Sequence, residues 1–189
     1  MSSLKPLISI RDADFEFENV PVKIVASRNC PEIELAGLKV GPFEEGREYD
    51  VRFWVAREME KAGMGRFREE ELLDAVKLHK IHWKERVQSV TQVSSLPENF
   101  YPKLRRYLVS LKEEAVKSAE KMREYEKTVK LSHDIIDVRL KKIVSLSSSP
   151  AKTNQLLESL TREERILHDR LNKIISGWRY NILKEGGKP

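Results

Sequence analysis

Residues 41–56, GPFEEGREYDVRFWVA, decide how this chain is built, because the spacing of apolar residues changes within them. Upstream, residues 20–27 alternate around Val22, Ile24 and Val25 behind Pro21. Ile33, Leu35, Leu38 and Val40 follow in short runs cut by Pro31, Gly37 and Gly41-Pro42. Short β-branched runs punctuated by Gly and Pro predict a small, strongly turned sheet. Such a segment is too short to bury a core alone and should lean on helices that follow. Downstream, Val51, Trp54, Val55, Met59 and Ala62 recur at three- and four-residue steps, the stripe of an amphipathic helix. Asp50 suits its N-cap, and Gly63 can close it in a left-handed conformation.

Working outward, a second helix is expected from about Arg68. Glu69, Glu70 and Glu71 would sit in its first turn and Lys80, Lys84 and Arg86 at its end, as the helix dipole favours. Its buried stripe would hold Leu72, Ala75, Val76, His79 and Trp83. Residues 87–95 are polar and β-branched and read as an extended surface linker. Pro97 then opens a long helix through Leu104, Tyr107, Leu108, Leu111, Ala115, Ala119 and Met122, resumed by Ile135, Ile136, Leu140 and Ile143. Weak periodicity over residues 128–133 predicts a break or kink there. Residues 147–150, Ser-Ser-Ser-Pro, stop the helix. A last one runs from Thr153 or Thr161 to Leu183, with Thr161 and Glu164 in a capping-box pattern. The expected fold is α+β and predominantly α. A small β domain occupies residues 1–50, and a helical domain of four to five helices occupies 51–189, ending in a flexible tail at Gly186-Gly187.

With 189 residues, 40% hydrophobic and 34% charged, the chain needs no disulfide or metal to fold. Its only cysteine, Cys30, is followed by Pro31 and has no Gly-rich elbow, so a structural thiol in a reducing compartment is expected. No run approaches about 18 apolar residues, which disfavours secretion and membrane spanning. A net charge of +5 is spread along the chain and is weak evidence for nucleic-acid binding and none for sequence-specific binding. His79 and His82 share a helix face but lack a third metal ligand. Adjacent acids such as Glu113-Glu114 splay apart rather than forming an acid/base pair. There is no GxxxxGK and no GxGxxG, so neither an enzyme nor a cofactor is expected.

The candidate functional residues are therefore those suited to interfaces. Phe43 and Trp54 flank the strand-to-helix junction, where one could dock the sheet on the helices; core packing is the reading for Trp54. Tyr101 and Tyr107 open the long helix, while Trp178 and Tyr180 close the last one, placed either for intrachain core or for partner contact. Lys80, Lys84, Arg105 and Arg106 could touch a phosphate backbone, although neighbouring acids make a mixed-sign surface the first reading. The alternatives are a basic helical nucleic-acid-binding protein, a coiled-coil adapter, which would need heptads sustained past Gly63, Pro97 and Pro150, and a metalloenzyme at His79 and His82.

The segment from Gly41-Pro42-Phe43 through Val51 to Trp54-Val55-Ala56 resembles GINS subunits of the branch that carries its B domain first. Three further stretches agree in order: Pro97 to Tyr101 followed by Leu104, Asp137-Val138-Arg139 with Lys142-Ile143, and residues 157–164, LESLTREE. The resemblance spans about residues 20–183 and lies toward the Psf-two/Psf-three side. It implies a non-catalytic scaffold without cofactors, in a hetero-tetramer with a GINS partner subunit of opposite domain order. That tetramer would link the MCM helicase to a Cdc45/RecJ-like protein in DNA replication. The setting it implies is archaeal, cytoplasmic and nucleoid-associated (nuclear in a eukaryote), with weak non-specific DNA contact and Arg139 among the interface candidates. The acidic stretch Asp12, Asp14, Glu16 and Glu18 departs from that pattern and has no assigned role.

Overall fold

Strand β1 (Pro21–Ala26) forms where alternation predicts it, turning Val22, Ile24 and Ala26 into a core and their neighbours outward. It is the centre of an antiparallel sheet, between β4 (Glu48–Arg52) and β5 (Gly65–Phe67), with Val22 opposite Val51 and Ile24 opposite Phe67. Strands β2 (Ile33–Leu35) and β3 (Leu38–Val40) make a separate hairpin, whose two-residue turn takes positive φ at Ala36 and Gly37, the geometry that matches strand twist. The computed structural model describes residues 10–88, 92–149 and 154–184. It divides into two units, Met1–Leu73 and Asp74–Pro189.

That division lies well beyond the boundary expected at 50/51, and helix α2 (Phe53–Lys61) explains why. Its Val55, Ala56 and Met59 are buried in the same core as the sheet, so the change of period marks an element, not a domain. Helix α1 (Ile10–Glu18) takes up the acidic stretch and joins this core through Phe17, whose ring lies 4.5 Å from that of Phe53. Asp50 is not the N-cap of α2, since it is paired in β4 opposite Lys23; Arg52 holds that position without a side-chain cap. Gly63 does take the left-handed conformation expected of it.

The Gly41-Pro42-Phe43 turn has a steric logic. Gly41 has φ of 102°, and a Cβ there would come within 3.2 Å of the Phe43 ring. Phe43 is buried edge-on to Tyr49, and the Tyr49 hydroxyl accepts the Glu44 N–H at 2.8 Å. Cys30 sits in an isolated bridge opposite Phe43, with Sγ 3.7 Å from the Met64 sulfur.

Among the described residues the second unit is a bundle of five helices: α3 (Ala75–Val87), α4 (Phe100–Ala115), α5 (Ala119–Ser148), α6 (Asn154–Glu158) and α7 (Arg162–Leu183). Its start differs from expectation. Glu69–Glu71 form a 3-10 turn in the first unit, and α3 begins only at Ala75, where the Asp74 carboxylate accepts the Lys77 N–H at 2.7 Å. The α3 stripe is reversed as well: Leu78 and Glu85 face in, whereas Val76, His79 and Trp83 face solvent. In the segment expected as a surface linker, Val93 and Ser94 are buried.

No break occurs at residues 128–133. Helix α5 runs thirty residues through them, and the interruption lies between Ala115 and Ala119, where Ser118 caps α5. Thr128 and Ser132 blur the apolar stripe yet are buried, because each hydroxyl donates to the carbonyl four residues back, at 2.9 and 2.7 Å. Thr161 starts α7 with a complete capping box to Glu164. The Gly186-Gly187 tail lies outside the described residues. No helix among those described is long and apolar enough to cross a membrane.

Candidate functional site

The buried face of α5 carries Arg139 and Lys142 where a bundle would ordinarily place aliphatic residues. Arg139 is 0% exposed and meets two carboxylates from other helices. Its Nε and Nη2 donate to the two oxygens of Glu164 on α7, a bidentate pair with Nη2–Oε2 at 2.6 Å. Its Nη1 donates to Glu85 on α3 at 2.6 Å and to the Ser94 carbonyl at 2.9 Å. Lys142 adds 2.8 Å to the other Glu85 oxygen and 2.9 Å to the Glu85 carbonyl. Ser94 Oγ donates to Glu85, and the Tyr101 hydroxyl on α4 donates to Glu164 at 2.6 Å.

Two cations thus balance two carboxylates, and the cluster ties α3, α4, α7 and the segment after α3 to α5. Glu164 belongs to two structures at once, since its Oε2 also accepts the Thr161 N–H of the capping box at 2.9 Å. Desolvating such ions costs several kcal/mol each, which dense, well-formed pairing offsets. Burial pushes the Glu85 carboxyl up, but Lys142, Ser94 and Arg139 together hold it below its ordinary value. For Arg139 burial acts against the charge, and hydrogen bonding and charge from Glu164 with the charge of Glu85 outweigh it, raising its pKa. Burial, and then the Glu164 charge, push the Tyr101 phenol far above its usual range. All these groups spend their polar atoms on one another, so the cluster is a clamp.

The placement of the candidate residues follows. Arg139 is wholly internal, Tyr101 is half-buried with its hydroxyl committed to Glu164, and Phe43 is core, so none of the three presents an anchor to a partner. Trp54 is half-buried against the first unit's core. Tyr107 is half-buried, with its phenol pushed up by burial and by the charges of Glu124 and Asp74. Lys80 and Lys84 are exposed on α3, whereas Arg105 and Arg106 are half-buried on α4. His79 is exposed and His82 half-buried; among the described residues no three His, Cys, Asp or Glu side chains gather as a metal set.

Trp178 and Tyr180 are open, at 63% and 64% exposure. Their helix runs in the same direction as α5. Arg139 meets Glu164, Ser147 Oγ donates to the His168 carbonyl at 3.3 Å, and the Asn172 amide donates to the Ser147 carbonyl at 3.0 Å. Since α5 ends at Ser148, the stretch from Lys173 to Leu183 overhangs it by about 16 Å at 1.5 Å per residue. Along the overhang Ile174, Trp178 and Ile182 continue the row that Leu171 buries lower down, and all three are exposed. Sequence spacing singles out Trp178 and Tyr180 at the end of this helix but cannot tell that the neighbouring helix stops short.

Comparison with known families completes the picture. The family described as GINS complex protein helical bundle domain matches residues 70–183, and the one described as PSF2 N-terminal domain matches residues 9–67. No curated protein matches the chain.

Proposed function

Because the chain belongs to the GINS family, as a Psf2-like subunit of a DNA-replication complex, we propose that it is a scaffold whose α7 overhang is an assembly surface. Membership makes its partners other GINS subunits in a hetero-oligomer, and subunits of this family are non-catalytic. The finer reading is a tetramer with a subunit of opposite domain order, two copies of each in the archaeal arrangement, joining an MCM helicase to a Cdc45/RecJ-like protein. The observation that carries the assembly claim is the row Ile174, Trp178 and Ile182 running past the end of α5 without cover. Exposed apolar rows of this kind mark interaction sites, and Trp is the residue most often found to dominate them.

The test is co-expression with a GINS subunit of opposite domain order, sized by light scattering. A stable hetero-oligomer is expected, and Trp178→Ala should weaken it by about thirtyfold, the scale of an interface anchor. A solitary 22.0 kDa chain in the presence of that subunit would overturn the reading. The alternative, a basic nucleic-acid-binding protein, has less support, because of the four candidate phosphate contacts Arg105 and Arg106 are half-buried, leaving Lys80 and Lys84 open.

A further inference from the structure

The outer face of α3 is a second uncovered apolar row, on a different helix from the overhang and with a different chemistry around it. Val76, Trp83 and Val87 are seven and four residues apart, so at 3.6 residues per turn they fall within about 40° of arc along about 16 Å of helix. Trp83 is 68% exposed, and the two valines are similarly open. Lys80 and Lys84 border this ridge on one side, His79 and Arg86 on the other. The only carboxylate of the helix, Glu85, points the opposite way and is consumed by Arg139 and Lys142. Among the described residues, Lys80, Lys84 and Arg86 stand in no ion pair. Beside His79 the face falls into a groove of about 330 Å³ against α5, with Leu131 and Thr128 in its wall and Glu124 and Asp134 balanced there by Lys127 and Lys130.

We propose that this face docks an amphipathic helix of a partner protein, one whose apolar ridge is bordered by aspartate and glutamate. Three observations select that occupant. The ridge is three apolar residues long and straight, which matches a helix laid along it rather than a single inserted side chain. Lys80 and Lys84, which stand in no ion pair among the described residues, call for carboxylates opposite them, which steer and orient the docking segment. A nucleic-acid strand would satisfy Lys80 and Lys84, but it would set Val76 and Val87 against its charged backbone and find one stacking platform where single-strand sites use several. The surface is separate from the overhang, so it leaves α7 free for assembly.

The probe is a fluorescein-labelled synthetic helix with leucines at the spacing of Val76, Trp83 and Val87 and glutamates on both flanks, beside a twin with lysines in place of the glutamates. Fluorescence anisotropy with the full chain is expected to show the glutamate peptide binding at least about tenfold more tightly than the lysine peptide. The double variant Lys80→Glu/Lys84→Glu should invert that order. Trp83→Ala should weaken the glutamate peptide by about tenfold or more, and Trp178→Ala should leave it unchanged. Because these side chains are exposed, circular dichroism should show all the variants folded. No binding, equal binding of both peptides, or sensitivity to Trp178→Ala but not to Trp83→Ala would overturn the proposal. Displacement of the peptide by oligothymidylate at physiological salt, lost in Trp83→Ala, would also overturn it and assign the face to single-stranded nucleic acid. None of these outcomes depends on whether the α7 overhang assembles, which the sizing experiment reads separately.

Discussion

The two units place their side chains in opposite ways. In the first, Phe17, Phe43, Phe53 and Phe67 are buried and the ion pairs lie outside, such as Arg57 with Glu18 at 3.3 Å and Arg68 with Glu48 at 3.1 Å. In the second, Arg139, Lys142, Glu85 and Glu164 are buried, while Trp83 and Trp178 stand in solvent. The first unit is held by apolar area and would survive the loss of any surface pair, since such pairs contribute at most about 1 kcal/mol. The second is held in part by a fixed ionic register, which accepts only one arrangement of α3, α4 and α7 on α5. Beside a core of Leu78, Phe100, Leu104 and Ile135, some of its apolar residues, Trp83 and Trp178 among them, are left where another chain can reach them. The difference separates a unit that completes its own core from one that fixes its shape internally and keeps part of its apolar surface for partners.

The strongest way to break that comparison is to remove the centre of the clamp. Arg139→Ala should destabilise the second unit by about 3–5 kcal/mol, because Glu85 and Glu164 would be left buried without their common partner. Hydrogen exchange read by segment should show protection falling in α3, α5 and α7 while β1 and α2 keep theirs. A loss below about 1 kcal/mol would mean that aliphatic packing holds the bundle and the ions merely accompany it.

Acidity separates the units by a smaller margin. The Glu85 carboxyl is held below its ordinary value in the folded chain, so the stability it supplies is present above its unfolded value, near 4.5, and is lost as pH falls through the lower, folded one. Tyr101 is shifted the other way. Its contribution is complete below its ordinary value of 10.0 and is lost as pH rises above it. Urea unfolding monitored by segment should therefore show the second unit weakening at both ends of the pH range, with the first unit changing less at either. Equal acid sensitivity in the two units would remove the distinction.

Much of this was legible in the sequence, and the failures share a cause. The alternation around Val22 and Ile24, the helical step through Val55 and Met59, the left-handed Gly63 and the Thr161/Glu164 capping box are local, and local spacing records them. The partners of Arg139 are 54 and 25 residues away, and no spacing rule joins them. Buried Thr128, Ser132, Arg139 and Lys142 interrupt the stripe of α5, so a continuous helix reads as a broken one. On α3 the period is real but its direction is ambiguous, because Leu78 lies on one face and Val76, Trp83 and Val87 on the other. Periodicity reports that a face is apolar; what covers it is a fact about other segments or other chains. The domain boundary failed for a related reason, since α2 is helical by period and belongs to the sheet by packing.

The tryptophans provide the finest discrimination, because one residue type is tested in both settings. Trp54 packs against the first unit's core, so Trp54→Ala should cost about 2–3 kcal/mol, somewhat less than a fully buried aromatic. Trp83→Ala and Trp178→Ala remove larger exposed areas and touch little of their own unit, so each should shift the unfolding free energy of the isolated chain by less than about 0.5 kcal/mol. The two exposed positions must then diverge once partners are added. Trp178→Ala should erode stability gained by assembly, and Trp83→Ala should leave that gain intact, because ligand-linked stabilisation scales with affinity for the surface concerned. A cost near 2 kcal/mol for Trp178→Ala in the isolated chain would show that the overhang already has a cover within the molecule, and the contrast between the two units would then rest on Trp83 alone.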